Sequence, residues 1–141
     1  MRNLFSLFFL FLLVFTACDN DDEVRNRNPF LLDIGFSQRL SPIQSQDLQF
    51  PSNSIFVGNV GIRGVYVINT GSGLRAWEAS DPNHVANECS GMLRNGIEVT
   101  CRCEDDNTYN LFTGQSTGEV LQYTLLQYRV TEAGGTITIS N

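Results

Sequence analysis

The sequence predicts an all-β domain, a small barrel or sandwich. Two observations carry this reading: short runs of β-branched and aromatic residues, and clusters of glycine, asparagine and proline between them. A third is negative, since no segment sustains helical periodicity for three turns.

Taken in order, Phe30 to Leu40 mixes apolar and polar residues at period two, with Leu32, Ile34 and Phe36 set against Asp33 and Ser37. That alternation predicts a half-buried strand. Ser41 to Ser54 is polar, contains Pro42 and Pro51, and predicts a loop. Ile55-Phe56-Val57 and Val65-Tyr66-Val67-Ile68 predict two strands bounded by Gly58, Gly61, Gly64 and the stretch from Asn69 to Gly73. The second is apolar throughout and is expected to be buried on both faces. A long irregular section follows before Ile97-Glu98-Val99-Thr100-Cys101 resumes the alternation. Tyr128-Arg129-Val130 and Thr136-Ile137-Thr138-Ile139 flank Gly134-Gly135, a pair that favours a tight hairpin turn.

The chain opens on Met1-Arg2-Asn3 and an apolar stretch from Leu4 to Phe15 broken only by Ser6. A basic start and an apolar segment too short to span a bilayer comfortably make residues 1–17 a signal peptide. Phe15-Thr16-Ala17-Cys18 resembles the bacterial lipobox, with Phe15 where Leu is usual. The resemblance implies cleavage before Cys18 and lipidation of its thiol. An ordinary secretory signal with an incidental cysteine is the alternative. Asp19-Asn20-Asp21-Asp22-Glu23 cannot bury itself and reads as a solvated leash, so residues 18–29 form a lipidated acidic tether and 30–141 the domain. Acidic residues directly after the lipidated cysteine resemble the surface-export signal of lipoproteins in the Bacteroidota; a plain spacer is the other reading. The expected location is the cell envelope, as an outer-membrane lipoprotein.

Charge narrows the partners. The chain has no lysine, and removal of residues 1–17 leaves 124 residues with eight arginines against fifteen acids, a balance of −7. Nucleic acid needs concentrated positive charge, and anionic headgroups repel this composition. The expected partners are therefore the membrane, through the lipid, and an envelope protein.

Cys89, Cys101 and Cys103 remain beyond the anchor. An odd number in an oxidising compartment implies one disulfide and one free thiol. Cys101 and Cys103, two apart, would close a strained ring if bonded to each other, so Cys89 pairs with one of them.

From Trp77 to Gly114 the sequence resembles the cluster-binding part of a Rieske [2Fe–2S] domain, within a weaker likeness from about Gly64 to Ser140. In that family a Cys-x-His box and a Cys-x-Cys-His-Gly-Ser box lie on two loops of a small β domain. Each supplies one thiolate and one imidazole. Here the second box reads Cys101-Arg102-Cys103-Glu104-Asp105-Asp106, followed by Tyr109-Asn110-Leu111-Phe112-Thr113-Gly114. Tyr128, Val130, Gly135, Ile137 and Ile139 fall as in the family's last hairpin. The first box aligns with Asp81-Pro82-Asn83. The resemblance thus sets Asp81, Asn83 and Glu104 at three ligand positions and keeps only Cys101. Arg102 stands for the usual Pro, Asp105 for Gly, and one extra residue precedes Tyr109. Cys89 and Cys103 fall where the family's inter-loop disulfide sits, and Trp77 is expected in the core beneath the loops.

Iron in such clusters is held by soft thiolates and imidazoles, for which carboxylates and an amide are poor substitutes. His84, the single histidine, lies one position beyond its slot and reads as a loop residue. A zinc site from His84, Cys101, Cys103 and Glu104 competes with the disulfide for the same sulfurs. Glu104, Asp105 and Asp106 with Asp81 and Asn83 offer oxygens for Ca²⁺, without calcium-loop spacing. No Ser–His–Asp set or phosphate-binding glycine loop is present, so no enzyme is expected.

The expectation is a non-catalytic lipoprotein with a cluster-free Rieske-like domain. Its competitors are an electron-transfer protein with a [2Fe–2S] cluster on Asp81, Cys101 and Glu104, and a cation or small-ligand binding module. Replacing Cys18→Ser is expected to leave an uncleaved or unlipidated product. Intact-mass analysis of the wild-type protein showing an unmodified N terminus elsewhere would refute the anchor.

Overall fold

The computed structural model describes residues 27–141. Cys18, the signal peptide 1–17 and most of the tether 18–29 lie outside the described residues. The domain is all-β. In chain order the strands are β1 (Ser37–Arg39), β2 (Ser54–Val57), β3 (Val65–Asn69), β4 (Leu74–Glu78), β5 (Met92–Asn95), β6 (Glu98–Cys101), β7 (Thr108–Asn110), β8 (Gln127–Ala133) and β9 (Thr136–Ser140). Six of them form one antiparallel sheet in the order β1-β9-β8-β4-β3-β2; the other three form a small sheet, β5-β6-β7. A bridge between Ser80 and Gly91 carries the chain from one sheet to the other.

The apolar β3 strand sits between two cores, which is why it shows no polar face. Tyr66 and Ile68 join Trp77, Val99, Tyr109 and Leu111 beneath the small sheet. Val65 and Val67 join Leu40, Leu48, Ala76, Tyr128 and Ile139 on the opposite side. Trp77 lies under the loops as expected, its indole Nε1 donating to the Leu111 carbonyl at 2.7 Å. The terminal hairpin also forms as expected, with Ala133 paired to Thr136 and both Gly134 (φ 55°) and Gly135 (φ 74°) in the left-handed region.

Three parts differ from the sequence reading. The predicted strand from Phe30 to Leu40 contracts to β1, because β9 offers ladder partners only opposite residues 37–39. Before it, Asp33 and Ile34 are held instead by the Asn141 side-chain amide, at 2.7 and 3.0 Å. The loop 41–54 contains one 3-10 turn, Gln46–Gln49, whose Leu48 plugs the second core. The irregular stretch before Ile97 holds β5, and β7 lies beyond Cys101. Both are short and rich in polar residues, with only Met92 and Tyr109 turned inward.

Buried Glu78 fixes the β2–β3 connection. Its carboxylate accepts from the Ile62 and Arg63 amides at 2.8 Å each, from the Ser80 amide at 2.9 Å and from the Tyr128 hydroxyl at 2.7 Å. Burial, then the Glu78 charge, pushes the Tyr128 hydroxyl's pKa upward, so it stays a donor.

Gly114 sets the close approach of the Thr113-Gly114 turn to Trp77. Its φ is +75°, and a Cβ there would lie 2.6 Å from Trp77 Cη2. Gly114→Ala is expected to cost about 2–4 kcal/mol from left-handed strain and overpacking combined. Gly118→Ala, where a Cβ meets nothing within 4 Å, should stay within about 0.5 kcal/mol of wild type. Urea unfolding midpoints check both; equal midpoints would contradict the packing.

Candidate functional site

Two loops meet at one end of the small sheet. The first runs from the end of β4 to β5 and carries Asp81, Asn83, His84 and Cys89. The second joins β6 to β7 and carries Cys103 to Asn107. The chain bonds Cys89 to Cys103, fourteen residues apart, and leaves Cys101 a buried free thiol.

Asp81 is fully buried. Its Oδ1 accepts from the Asn83 amide at 2.8 Å and from the Tyr109 hydroxyl at 2.5 Å, and its Oδ2 accepts from Asn107 Nδ2 at 3.0 Å. Asn83 Nδ2 donates to the Tyr109 hydroxyl at 2.9 Å and to the Tyr123 carbonyl at 2.8 Å, while its Oδ1 accepts from the Tyr123 amide at 3.1 Å. Burial chiefly, and then the bond to Asp81, pushes the Tyr109 hydroxyl's pKa upward and keeps it protonated. Among the described residues no buried side-chain oxygen or nitrogen lacks a partner. Asp81 and Asn83 thus act as a hydrogen-bonded knot between both loops and the segment before β8.

The second loop departs from the sequence alignment. Glu104 is exposed and joins neither of the groups of metal-ligating atoms among the described residues. Asp105, itself exposed, is the carboxylate that joins both groups. After Cys103 is tied to Cys89, the chain turns back through an Asp106 amide to Cys103 carbonyl bond of 3.1 Å, with Asp106 at φ 49°. That turn absorbs the extra residue and aims Asp105 at Asn107 Nδ2 (2.8 Å) and His84 Nε2 (3.0 Å). Sequence reasoning named Asp105 only among possible calcium oxygens and missed Asn107 altogether; the one-residue insertion before Tyr109 was the available signal. Arg102, in the usual proline position, bridges the loops by donating to the Gly91 carbonyl at 2.9 Å and the Glu88 carbonyl at 3.1 Å.

His84 belongs to the site more closely than its alignment suggested. Its Nδ1 lies 3.8 Å from Cys103 Sγ. The zinc set of His84, Cys101, Cys103 and Glu104 is not assembled as such: Cys103 is oxidised, Cys101 groups instead with Asp81 and Asp105, and Glu104 lies apart. Neither group of ligating atoms consists of oxygens alone, and the Asp81 and Asn83 oxygens are occupied by donors. The all-oxygen calcium arrangement is therefore not formed.

A Rieske cluster requires two thiolates on one iron and two imidazoles on the other. At the matching positions this chain presents one thiol, one knotted carboxylate, one knotted amide and a loop carboxylate. That donor set does not fit a [2Fe–2S] cluster.

No protein-family profile matches the chain, and no curated protein matches it. Solved structures do. One is a chain from the complex of reduced oxygenase and oxidized ferredoxin in carbazole 1,9a-dioxygenase, with TM-score 0.50 and 19% identity, covering 74% of this chain and 92% of that one. Another is named "putative NADH-dependent nitrite reductase small subunit from Mycobacterium tuberculosis", with TM-score 0.44 and 16% identity, covering 77% of this chain and 97% of that one. The fold is Rieske-like.

Burial pushes the Cys101 thiol from its ordinary 9.0 up to about 12, and the Asp81 and Asp105 charges add to that; the Cys103 amide opposes it. The unfolded chain therefore ionises this thiol first. Its stabilising contribution is complete below pH 9 and is lost as pH rises toward 12. The stability difference between wild type and Cys101→Ala is expected to shrink across that window. A constant difference from pH 8 to 12, read by urea titration, would contradict this burial.

Proposed function

We propose that this chain is a non-catalytic lipoprotein of the bacterial cell envelope, held to the outer membrane through Cys18. Its Rieske-like domain is cluster-free and serves an interaction or structural role. The observation that carries this reading is the Asp81–Asn83–Tyr109–Asn107 knot, which uses the ligand-position side chains as internal cross-links. A fold does not bring its function with it when the site residues have changed. The run Asp19 to Glu23 after Cys18 supports a tether, and its acidity supports export to the outer face.

The competing reading is electron transfer, favoured by a structural neighbour from an oxygenase–ferredoxin complex. It needs a [2Fe–2S] cluster on Asp81, Cys101 and Glu104. Exposed Glu104 stands apart from both ligating groups, and Asp81 would have to abandon three donors. Expression under anaerobic conditions with iron and sulfide gives a cluster its best opportunity. A colourless, folded protein with no iron is expected. A stoichiometric [2Fe–2S] absorption and EPR spectrum would establish electron transfer instead.

A further inference from the structure

We propose that reduction of the Cys89–Cys103 disulfide converts the loop junction into a zinc site formed by both sulfurs and His84 Nδ1, with Asp105 orienting the imidazole. This site lies beside the cluster positions and shares no ligand with them.

The geometry is half assembled in the oxidised protein. Zinc bonds of about 2.3 Å to sulfur and 2.0–2.1 Å to nitrogen, at tetrahedral angles, set the two ligand atoms about 3.6 Å apart. His84 Nδ1 and Cys103 Sγ are 3.8 Å apart. The other ring nitrogen, Nε2, faces Asp105 Oδ2 at 3.0 Å. A carboxylate there accepts a hydrogen bond from Nε2–H and leaves Nδ1 with its lone pair on the side of the sulfur, the arrangement that orients metal-bound imidazoles. Cys89 supplies the second sulfur, its Cα only 4.9 Å from that of Cys103. His84 and Asp105 are about one-third exposed, which gives an ion access and leaves the fourth position to water.

The chemistry balances with a dithiol reductant. The disulfide takes two electrons and two protons from it and becomes two thiols, while the reductant becomes a disulfide. Zinc binding then releases the two thiol protons to water. Disulfide and zinc are mutually exclusive, and each ties the first loop to the second. The metal would restore the cross-link that reduction removes.

The test uses protein reduced with a phosphine, desalted anaerobically and titrated with Co²⁺ and then Zn²⁺. One equivalent of Co²⁺ is expected to give thiolate-to-cobalt charge-transfer absorption, which Zn²⁺ abolishes; oxidised protein gives none. Asp105→Asn should weaken binding about 10–100-fold. His84→Ala should weaken it at least as much, and Cys101→Ser should change it less than twofold. Circular dichroism accompanies each step. If reduction alone melts the β signal, Co²⁺ must restore it in wild type and in Cys101→Ser but not in His84→Ala. Absent charge transfer, failure to restore the fold, loss in Cys101→Ser or indifference to His84→Ala would each overturn the site.

Discussion

The buried carboxylate of Asp81 is the constraint on which the loop end of this domain depends. Removing a carboxylate from water costs several kcal/mol unless donors replace the lost hydration. Three donors do so here, and each comes from a different place: the Asn83 amide from the same loop, Asn107 from the second loop and Tyr109 from β7. Satisfying one acid therefore fixes two loops and a strand relative to each other. Asn83 extends the demand to a third segment by pairing both ways with the backbone of Tyr123. The two loops, β7 and the segment before β8 are thus joined through hydrogen bonds of the chain's own side chains.

The same device occurs a few residues earlier. Glu78 and Asp81 flank the end of β4, each fully buried and each receiving a tyrosine hydroxyl, Tyr128 in one case and Tyr109 in the other. The two tyrosines lie in different cores. Strand β4 thus ends in a pair of carboxylate anchors, one toward each core. Glu78 collects the β2–β3 connection and Asp81 collects the loops. An acid left without its donors in either place would be far more costly than a missing apolar contact, since an uncompensated buried charge has no alternative partner.

Much of this was legible in the sequence, and the failures have physical causes. Apolar β3 and the Gly134-Gly135 hairpin were readable because burial and turn geometry each impose a local pattern. The Cys89–Cys103 bond was readable through resemblance, the residues themselves leaving Cys101 and Cys103 undecided. Strands β5 and β7 escaped notice because four and three residues carry too little alternation to announce a strand. Glu78 drew no reading from the sequence, since nothing local reveals that a tyrosine fifty positions away donates to it. Asp105 was displaced by one position from the residue that alignment favoured, because a loop under a disulfide constraint redistributes an inserted residue over its whole turn.

Beside the His84–Asp105 contact, three other kinds of cross-link join the two loops, and they fail under different conditions. The disulfide closes a short loop, for which chain-entropy estimates give roughly 3 kcal/mol, and it responds to reductant. The Arg102 bridge to the Gly91 and Glu88 carbonyls is charge-assisted on the donor side and remains as long as the backbone keeps its course. The Asp81 knot is shielded from solvent and persists while Tyr109 stays protonated. Burial raises that tyrosine's pKa and so maintains the knot into alkaline solution. Neither the knot nor the Arg102 bridge contains sulfur, so both draw the two loops together independently of the disulfide. The proposed zinc site next to His84 would sit on loops that the disulfide does not hold alone.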